Sequence, residues 1–293
     1  MKIYDLIVEN FSILIKGLLM GTCDIIPGVS GGTIALITGI YERLITAIGN
    51  IRPAIVVPLL KGDFKSFEKE LERIDFVFLL FLVGGIGLAV ITFARIILYL
   101  LEVYPGLTYS FFFGLIVASS VLIFLEIEYE ARTIKAGLFL ICGIIAGFVI
   151  AGLNPASLGH SLPVLFFTGM IAICAMILPG ISGAYITLLM NQYEYLLAAL
   201  KAVSLPEIIS YIAGGLIGLL MFSKVLKYLL KNHQVSMLSF LTGLMLGSVR
   251  MLFNKIESAG GFDLSVIFLF ISGILVIVAM EWIKRKYDGK FRV

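Results

Sequence analysis

The residues best suited to chemistry lie in two Pro-Gly stretches of a very apolar chain. The first reads PGVSGGT from Pro27, and the second reads PGISGAY from Pro179. Proline interrupts helices, and glycine permits tight turns and close approach of the backbone. Ser30 and Ser182 are well placed to cap the helices that follow. We expect each stretch to be a helix break whose free N–H groups bind an anion, phosphate especially. The alternative is a tight hairpin turn that only allows close helix packing.

Three acidic residues near these stretches are candidates for ion coupling. Asp24 precedes Pro27 by three positions and has no acidic counterpart in the second stretch. Because ionisable groups inside membrane segments are costly, Asp24 is either a protonatable coupling site, a partner for a nearby arginine, or a hydrogen-bonded structural residue. Glu42 and Glu194 follow the breaks by about three helical turns. They are coupling candidates or interfacial residues, and Arg43 is an obvious neighbour for Glu42.

Two cations inside apolar segments are candidate ligands for an anionic head group. Arg95 and Lys224 each lie about six residues before the end of an apolar run. One cation at each leaflet would receive such a head group on either side of the membrane. The alternative is that both side chains extend to the interface without a binding role.

The composition identifies the elements that must position these residues. Of 293 residues, 60% are hydrophobic and 14% are charged, and the mean hydropathy is +1.08. Such a chain is an all-α polytopic membrane protein. The net charge of +3 gives no indication of nucleic acid binding. The three cysteines lie in apolar segments and indicate neither a disulfide framework nor a metal site.

The chain contains an internal repeat. PGVSGGTIALITGIYERL aligns without a gap on PGISGAYITLLMNQYEYL, and the alignment continues to bring Arg95 opposite Lys224. Each half therefore has one interrupted segment and three apolar runs of membrane-spanning length. Repeat one is 11–153, with a hairpin at 11–48 and spans at 76–101, 110–126 and 136–153. Repeat two is 163–284, with a hairpin at 163–200 and spans at 208–230, 238–253 and 264–283.

The distribution of basic residues predicts the orientation of the halves, because Lys and Arg accumulate on the cytoplasmic side. Basic residues cluster in 49–75, 127–135, 224–231 and the tail from 284, whereas loops 102–109 and 154–162 have none. If each hairpin is re-entrant and three helices cross, all basic clusters and both termini are cytoplasmic. Three crossings per half give inverted topology, the architecture in which a substrate site lies between repeats. Two full crossings per hairpin would preserve this inversion.

The sequence GTCDIIPGVSGGTIALITGIYERLI, with the second copy PGISG, resembles the bacterial polyprenyl-phosphate transporter family over essentially the whole chain. The resemblance implies a transporter without catalytic residues or a bound cofactor. It would return undecaprenyl phosphate, the lipid carrier of cell-wall synthesis, from the outer to the inner leaflet of the bacterial cytoplasmic membrane. Proton or sodium coupling stays open, as does homodimerisation. The implied substrate pocket comprises Asp24, Pro27, Gly28, Ser30, Gly31, Gly32, Thr33, Pro179, Gly180, Ser182 and Gly183.

Two other functions are compatible with the same stretches. PGVSGGT also looks like a degraded form of the Pro-Gly-x-Ser-Arg-Ser-x-x-Thr motif of intramembrane undecaprenyl-diphosphate phosphatases. Gly31 stands where that motif has its arginine, and the Glu126/Glu130 pair falls in a predicted cytoplasmic loop. An ion-coupled transporter of a small soluble anion would use the same helix ends.

Overall fold

A computed structural model describes residues 3–26, 29–127, 133–156 and 158–288. These residues form helices and connecting turns, with no strand among them, which confirms the prediction of an all-helical membrane protein. The helices are α1 (Ile3–Asp24), α2 (Gly31–Ile37), α3 (Tyr41–Gly49), α4 (Val56–Leu60), α5 (Phe64–Arg73), α6 (Phe76–Val103), α7 (Pro105–Glu126), α8 (Ile134–Ile150), α9 (Leu162–Ile177), α10 (Gly183–Leu189), α11 (Tyr193–Lys201), α12 (Leu205–Asn232), α13 (Gln234–Ser258) and α14 (Leu264–Asp288).

Five of the described helices are long and apolar enough to cross a membrane: α6, α7, α12, α13 and α14. Helices α8 and α9 are also apolar but shorter, with 17 and 16 residues. Each of the six apolar runs in the sequence lies largely within one of α6, α7, α8, α12, α13 and α14. Helix α1 begins at Ile3, before the predicted start of the first hairpin at residue 11, and its 22 residues give a length of about 33 Å.

The returning arm of each interrupted segment is divided into two short helices. Helix α2 ends before Gly39, which has φ 72°, and α10 ends before Asn191, which has φ 56°. Glycine and asparagine are the residues that most readily adopt this left-handed conformation at a helix end. The two breaks fall at equivalent positions of the sequence repeat. The returning arm of each predicted hairpin is therefore two short helices.

The chain divides into two compact units. The first comprises Met1–Ala94 and Asn154–Gln234, and therefore holds both interrupted segments. The second comprises Arg95–Leu153 and Val235–Val293. Each unit thus combines segments from both halves of the sequence.

Within the first unit, glycines bring helices into backbone contact at equivalent positions of the two halves. Gly17 of α1 lies against the carbonyl of Leu82 in α6, and Gly169 of α9 lies against the carbonyl of Tyr211 in α12. In both cases a Cβ atom would overlap the carbonyl oxygen. The same offsets relate the reciprocal contacts, which are Gly85 with Leu14 and Gly214 with Phe166.

Within the second unit, the close helix pairs are α7 with α14 and α8 with α13. Gly114 lies against the carbonyl of Phe270 in the first pair, and Gly243 lies against that of Leu140 in the second. Small residues of this kind allow helices in lipid to gain packing contacts that larger side chains would prevent. Gly114 and Gly243 occupy equivalent positions in the sequence repeat.

Candidate functional site

The first Pro-Gly stretch lies between α1 and α2, and side chains on its two sides accept hydrogen bonds from the start of α2. Ser30 is the N-cap of α2 and accepts a hydrogen bond from the Gly32 N–H at 3.2 Å. Asp24, the last residue of α1, accepts a hydrogen bond from the Gly31 N–H at 2.6 Å. Pro27 and Gly28 lie outside the described residues. The loop therefore keeps α2 capped by two side chains that come from opposite ends of the break.

The second stretch forms a turn between α9 and α10. Pro179 and Gly180 are buried, and Gly180 has φ 86°, a conformation that a side chain would strain. Ser182 is the N-cap of α10 and accepts a hydrogen bond from the Tyr185 N–H at 3.5 Å. Gly183 is buried, and a Cβ there would lie 2.7 Å from the Ala172 carbonyl oxygen. Backbone conformation therefore requires glycine at position 180, and close packing requires it at position 183.

The two loops contact each other through hydrogen bonds. The Thr33 hydroxyl accepts a hydrogen bond from the Gly180 N–H at 3.0 Å. The Ser30 hydroxyl lies 3.2 Å from both the Met176 and the Leu178 carbonyl oxygens, and it can donate to either. Both hydroxyl side chains are fully buried. Two halves of the sequence repeat therefore meet at their interrupted segments.

Glycine is needed where the loops approach. A Cβ at Gly32 would lie 2.6 Å from the Ile177 carbonyl oxygen, and one at Gly31 would lie 2.5 Å from the Asp24 carboxylate. Real side chains do not tolerate such distances, so a larger residue at position 32 would separate the loops and one at position 31 would displace the Asp24 side chain. This observation gives a packing reason for two of the glycines that the sequence suggested for anion binding.

The N–H groups of the loop tips are already paired. Asp24 accepts from Gly31, Ser30 from Gly32, and Thr33 from Gly180. The expectation of free N–H groups is therefore wrong for these three glycines in this conformation. The position beside the Gly31 N–H holds a carboxylate, which is itself an anion.

The surroundings of Asp24 distinguish between its three sequence-based interpretations. Within the described ranges it has a backbone hydrogen bond but no arginine or lysine in ion-pair contact. The interpretation as a partner of a nearby arginine is therefore not supported by this structure. Capping and coupling both stay compatible with this position.

Arg43 has different partners from the one the sequence suggested. Its Nε donates to Asp75 at 2.6 Å and its Nη1 to Glu9 at 2.8 Å. Glu42 instead accepts a hydrogen bond from the Gln234 side chain at 2.6 Å and is exposed. The pairing of Glu42 with Arg43 is therefore wrong.

The remaining charged candidates lie on exposed surfaces. Glu194 is exposed in the first turn of α11, and Lys224 is exposed on α12. Arg95 is exposed on α6 and belongs to the second unit. Among the described contacts, none of these three side chains has a hydrogen bond or ion pair. Their surface positions fit interfacial side chains.

One organised polar group was assigned no role from the sequence. His160 stacks on Tyr195 with ring centroids 4.3 Å apart, and its Nδ1 lies 2.9 Å from the Gln192 side-chain oxygen. The fully buried Gln192 amide donates to the Gly159 and Met190 carbonyls. The connection before α9 is thus held against the break between α10 and α11. The sequence signal that could have indicated this group is a glutamine, Gln192, within an apolar segment.

The described residues contain no group of three or more His, Cys, Asp or Glu side chains arranged to hold a metal ion. The cysteines Cys23, Cys142 and Cys174 are unpaired with one another. The candidate site is therefore one of hydroxyls, backbone amides and a single carboxylate.

Comparisons with known proteins give consistent results. A family model described as VCA0040-like, undecaprenyl phosphate translocase-like, matches residues 20–259. A polyprenyl-phosphate transporter of Vibrio cholerae serotype O1 is 42% identical over 238 residues, covering 81% of this chain and 76% of the relative. One of Staphylococcus aureus is 30% identical over 281 residues, covering 90% and 92%. No solved structure matches the chain.

Proposed function

Because the chain belongs to the undecaprenyl phosphate translocase-like family, we propose that it translocates undecaprenyl phosphate from the outer to the inner leaflet of the bacterial cytoplasmic membrane. This movement would return the lipid carrier for another round of cell-wall synthesis. The structural observation that carries the proposal is the direct contact of the two Pro-Gly loops in one unit. A site formed by both halves of a repeat suits a substrate that must be released to either side.

The phosphate would bind at the loop tips, through residues of both stretches. In this conformation the Gly31 N–H is bound to Asp24 and the Gly180 N–H to Thr33. Phosphate oxygens would therefore replace the Asp24 carboxylate as acceptor for the Gly31 N–H and the Thr33 hydroxyl as acceptor for the Gly180 N–H. The loops would separate to admit the phosphate. The proposed binding residues are Asp24, Pro27, Gly28, Ser30, Gly31, Gly32, Thr33, Pro179, Gly180, Ser182 and Gly183.

This exchange gives Asp24 a coupling role. A carboxylate and a phosphate cannot both occupy the same N–H group without repulsion between like charges. Protonation of Asp24 would weaken its bond to Gly31 and remove that repulsion. Proton uptake at Asp24 would therefore accompany phosphate binding. Glu42 and Glu194 are exposed, and their proposed role is limited to attracting the coupling cation at the interface.

The proposal includes inverted repeats with re-entrant hairpins. It is supported by the equivalent glycine contacts of Gly17 and Gly169, and of Gly114 and Gly243. Backbone breaks at membrane depth persist only where protein or a cavity surrounds them, and the buried side chains of Ser30, Thr33 and Ser182 agree with this. Both termini would be cytoplasmic, because that orientation places the basic segments on the cytoplasmic side. Arg95 and Lys224 would then attract the head group at opposite leaflets.

The experiment that tests the function is reconstitution of the purified full chain into liposomes that contain undecaprenyl phosphate. The fraction of lipid accessible from outside is measured over time by a membrane-impermeant reagent. We expect the internal pool to become accessible at a rate that rises with protein content, while protein-free liposomes retain it. Uptake of inorganic phosphate without lipid movement would contradict the proposal. So would release of inorganic phosphate from undecaprenyl diphosphate.

A further inference from the structure

An apolar cavity of about 370 Å³ lies in the first unit, between α9, α10, α11 and α12. Its walls include Met176 from α9, Ala184 and Thr187 from α10, Leu197 from α11 and Tyr211 from α12. A volume of this size is at the lower end of the range for ligand sites, which are mostly apolar. The cavity therefore has room for part of a long hydrocarbon chain.

The polar groups in the wall are largely paired with each other. The hydroxyl oxygens of Thr187 and Tyr211 are 2.9 Å apart, and Thr187 also donates to the Gly183 carbonyl at 2.9 Å. These hydroxyls thus offer little to a polar ligand. The chemistry of the cavity favours a saturated or isoprenoid chain over a sugar, peptide or ion.

The cavity begins at the second Pro-Gly loop. Gly183 and Ala184, the first two residues of α10, belong to its wall and directly follow the cap residue Ser182. Thr187 lies one helical turn further on, about 6 Å along the axis. A ligand with its phosphate at the loop would therefore have its chain directed into the cavity.

The equivalent space of the first half is filled. Tyr41 is 1% exposed, whereas its counterpart Tyr193 lines the cavity and is 39% exposed. Ile45 is fully buried, whereas its counterpart Leu197 is 42% exposed. Identical or similar residues thus close one copy and leave the other open. The second copy therefore has open apolar space beside its Pro-Gly loop that the first copy lacks.

We infer that this cavity binds the isoprene units next to the phosphate of the polyprenyl chain. The inference rests on the proposed function and adds the part of the site that recognises the chain. It assigns substrate selection to the second half of the protein, with α10 joining the phosphate loop to the chain site. Chain length beyond the first few isoprene units would then matter little for binding.

The test compares the affinities of farnesyl phosphate and isopentenyl phosphate for the purified full chain, measured by titration calorimetry. In the parent, farnesyl phosphate should bind at least about tenfold more tightly. Ala184→Phe on α10 and Leu200→Trp on α11 fill the cavity from opposite walls, and each should reduce this ratio to near one. Leu188→Phe is the matched control, because Leu188 is on α10, 44% exposed and outside the wall.

The outcomes separate the inference from the function. If both filling variants keep the tenfold ratio while the parent translocates undecaprenyl phosphate, the cavity inference is wrong and the function stands. If Leu188→Phe lowers the ratio as much as the filling variants, the cavity inference is also wrong. If the parent neither binds farnesyl phosphate nor moves the lipid in liposomes, the function and the inference both fail. Melting temperatures measured for all variants determine whether a reduced affinity ratio comes from unfolding.

Discussion

Replacing Thr33 with valine removes one of the hydrogen bonds that join the two Pro-Gly loops while keeping the volume of the side chain. Thr33 is fully buried, and its hydroxyl is the acceptor for the buried Gly180 N–H at 3.0 Å. The change therefore leaves a backbone donor unsatisfied without creating a cavity. An unsatisfied buried group costs about 1–3 kcal/mol. We expect the free energy of unfolding to fall by about this amount.

Two control variants test whether the loss of stability in Thr33→Val comes from the hydrogen bond between the loops. Thr33→Ser keeps the acceptor and loses one methyl group, at a cost of about 1 kcal/mol. Thr92→Val removes an exposed hydroxyl that donates within its own helix to the Leu88 carbonyl, and should change stability by less than about 0.5 kcal/mol. Only the valine variant at 33 should accelerate hydrogen exchange at the Gly180 amide.

The assay is denaturant unfolding of the purified chain in detergent, combined with hydrogen exchange of the peptide that contains Gly180. The expected order of stability is parent and Thr92→Val, then Thr33→Ser, then Thr33→Val. Unchanged exchange at Gly180 in Thr33→Val would refute the hydrogen bond between Thr33 and Gly180. A loss of stability without a change at Gly180 would indicate a packing role for Thr33 and would refute the bond as its cause.

Four further predictions concern single residues. Asp24→Asn keeps an acceptor for the Gly31 N–H but removes the charge. The free energy of unfolding should therefore change by less than about 1 kcal/mol, while translocation in liposomes slows at least tenfold. Gly114→Ala forces its helix from a facing carbonyl and should cost about 1–3 kcal/mol in thermal unfolding. Gly137→Ala, with open space around it, should be neutral or stabilising. The Val266 N–H and the Ser265 hydroxyl donate hydrogen bonds that lower the pKa of Asp263. Asp263→Ala should therefore speed hydrogen exchange at the start of α14 near pH 7, but not at a pH below the lowered pKa.

Each of these predictions has a contradicting result. Parental translocation by Asp24→Asn would exclude a role for the charge. Equal melting temperatures for the two glycine variants would contradict the close packing of α7 on α14. The sign for Asp263 follows from its lowered pKa, because the carboxylate stabilises the helix start above the ordinary value of about 3.9 and loses this effect as the pH falls. Protection that is unchanged between neutral and acidic pH would contradict it.

The long apolar helices and the breaks at the Pro-Gly stretches were accessible from the sequence. Apolar runs of sufficient length form helices in a membrane because no other local structure satisfies the backbone there. The breaks inside the returning arms also had a signal, since Gly39 and Asn191 occupy equivalent positions and both favour positive φ. That signal was hidden by the continuous apolar character of the flanking residues.

The contacts of the site were not accessible in the same way. The bond between Thr33 and Gly180 joins residues 147 positions apart, and the partners of Arg43 lie 34 and 32 positions away. Such contacts depend on how helices pack, which periodicity does not encode. The filled and open copies of the cavity differ although Tyr41 and Tyr193 are identical. Sequence symmetry therefore predicts equivalent positions but not equivalent surroundings.

The most direct test of the account measures undecaprenyl phosphate on the outer surface of intact bacteria that lack the gene, before and after its restoration. The parent chain should lower the surface pool to its original level, and Asp24→Asn should fail to do so at equal expression. A surface pool that does not rise when the gene is removed, or that rises further when the parent chain is restored, would contradict inward translocation.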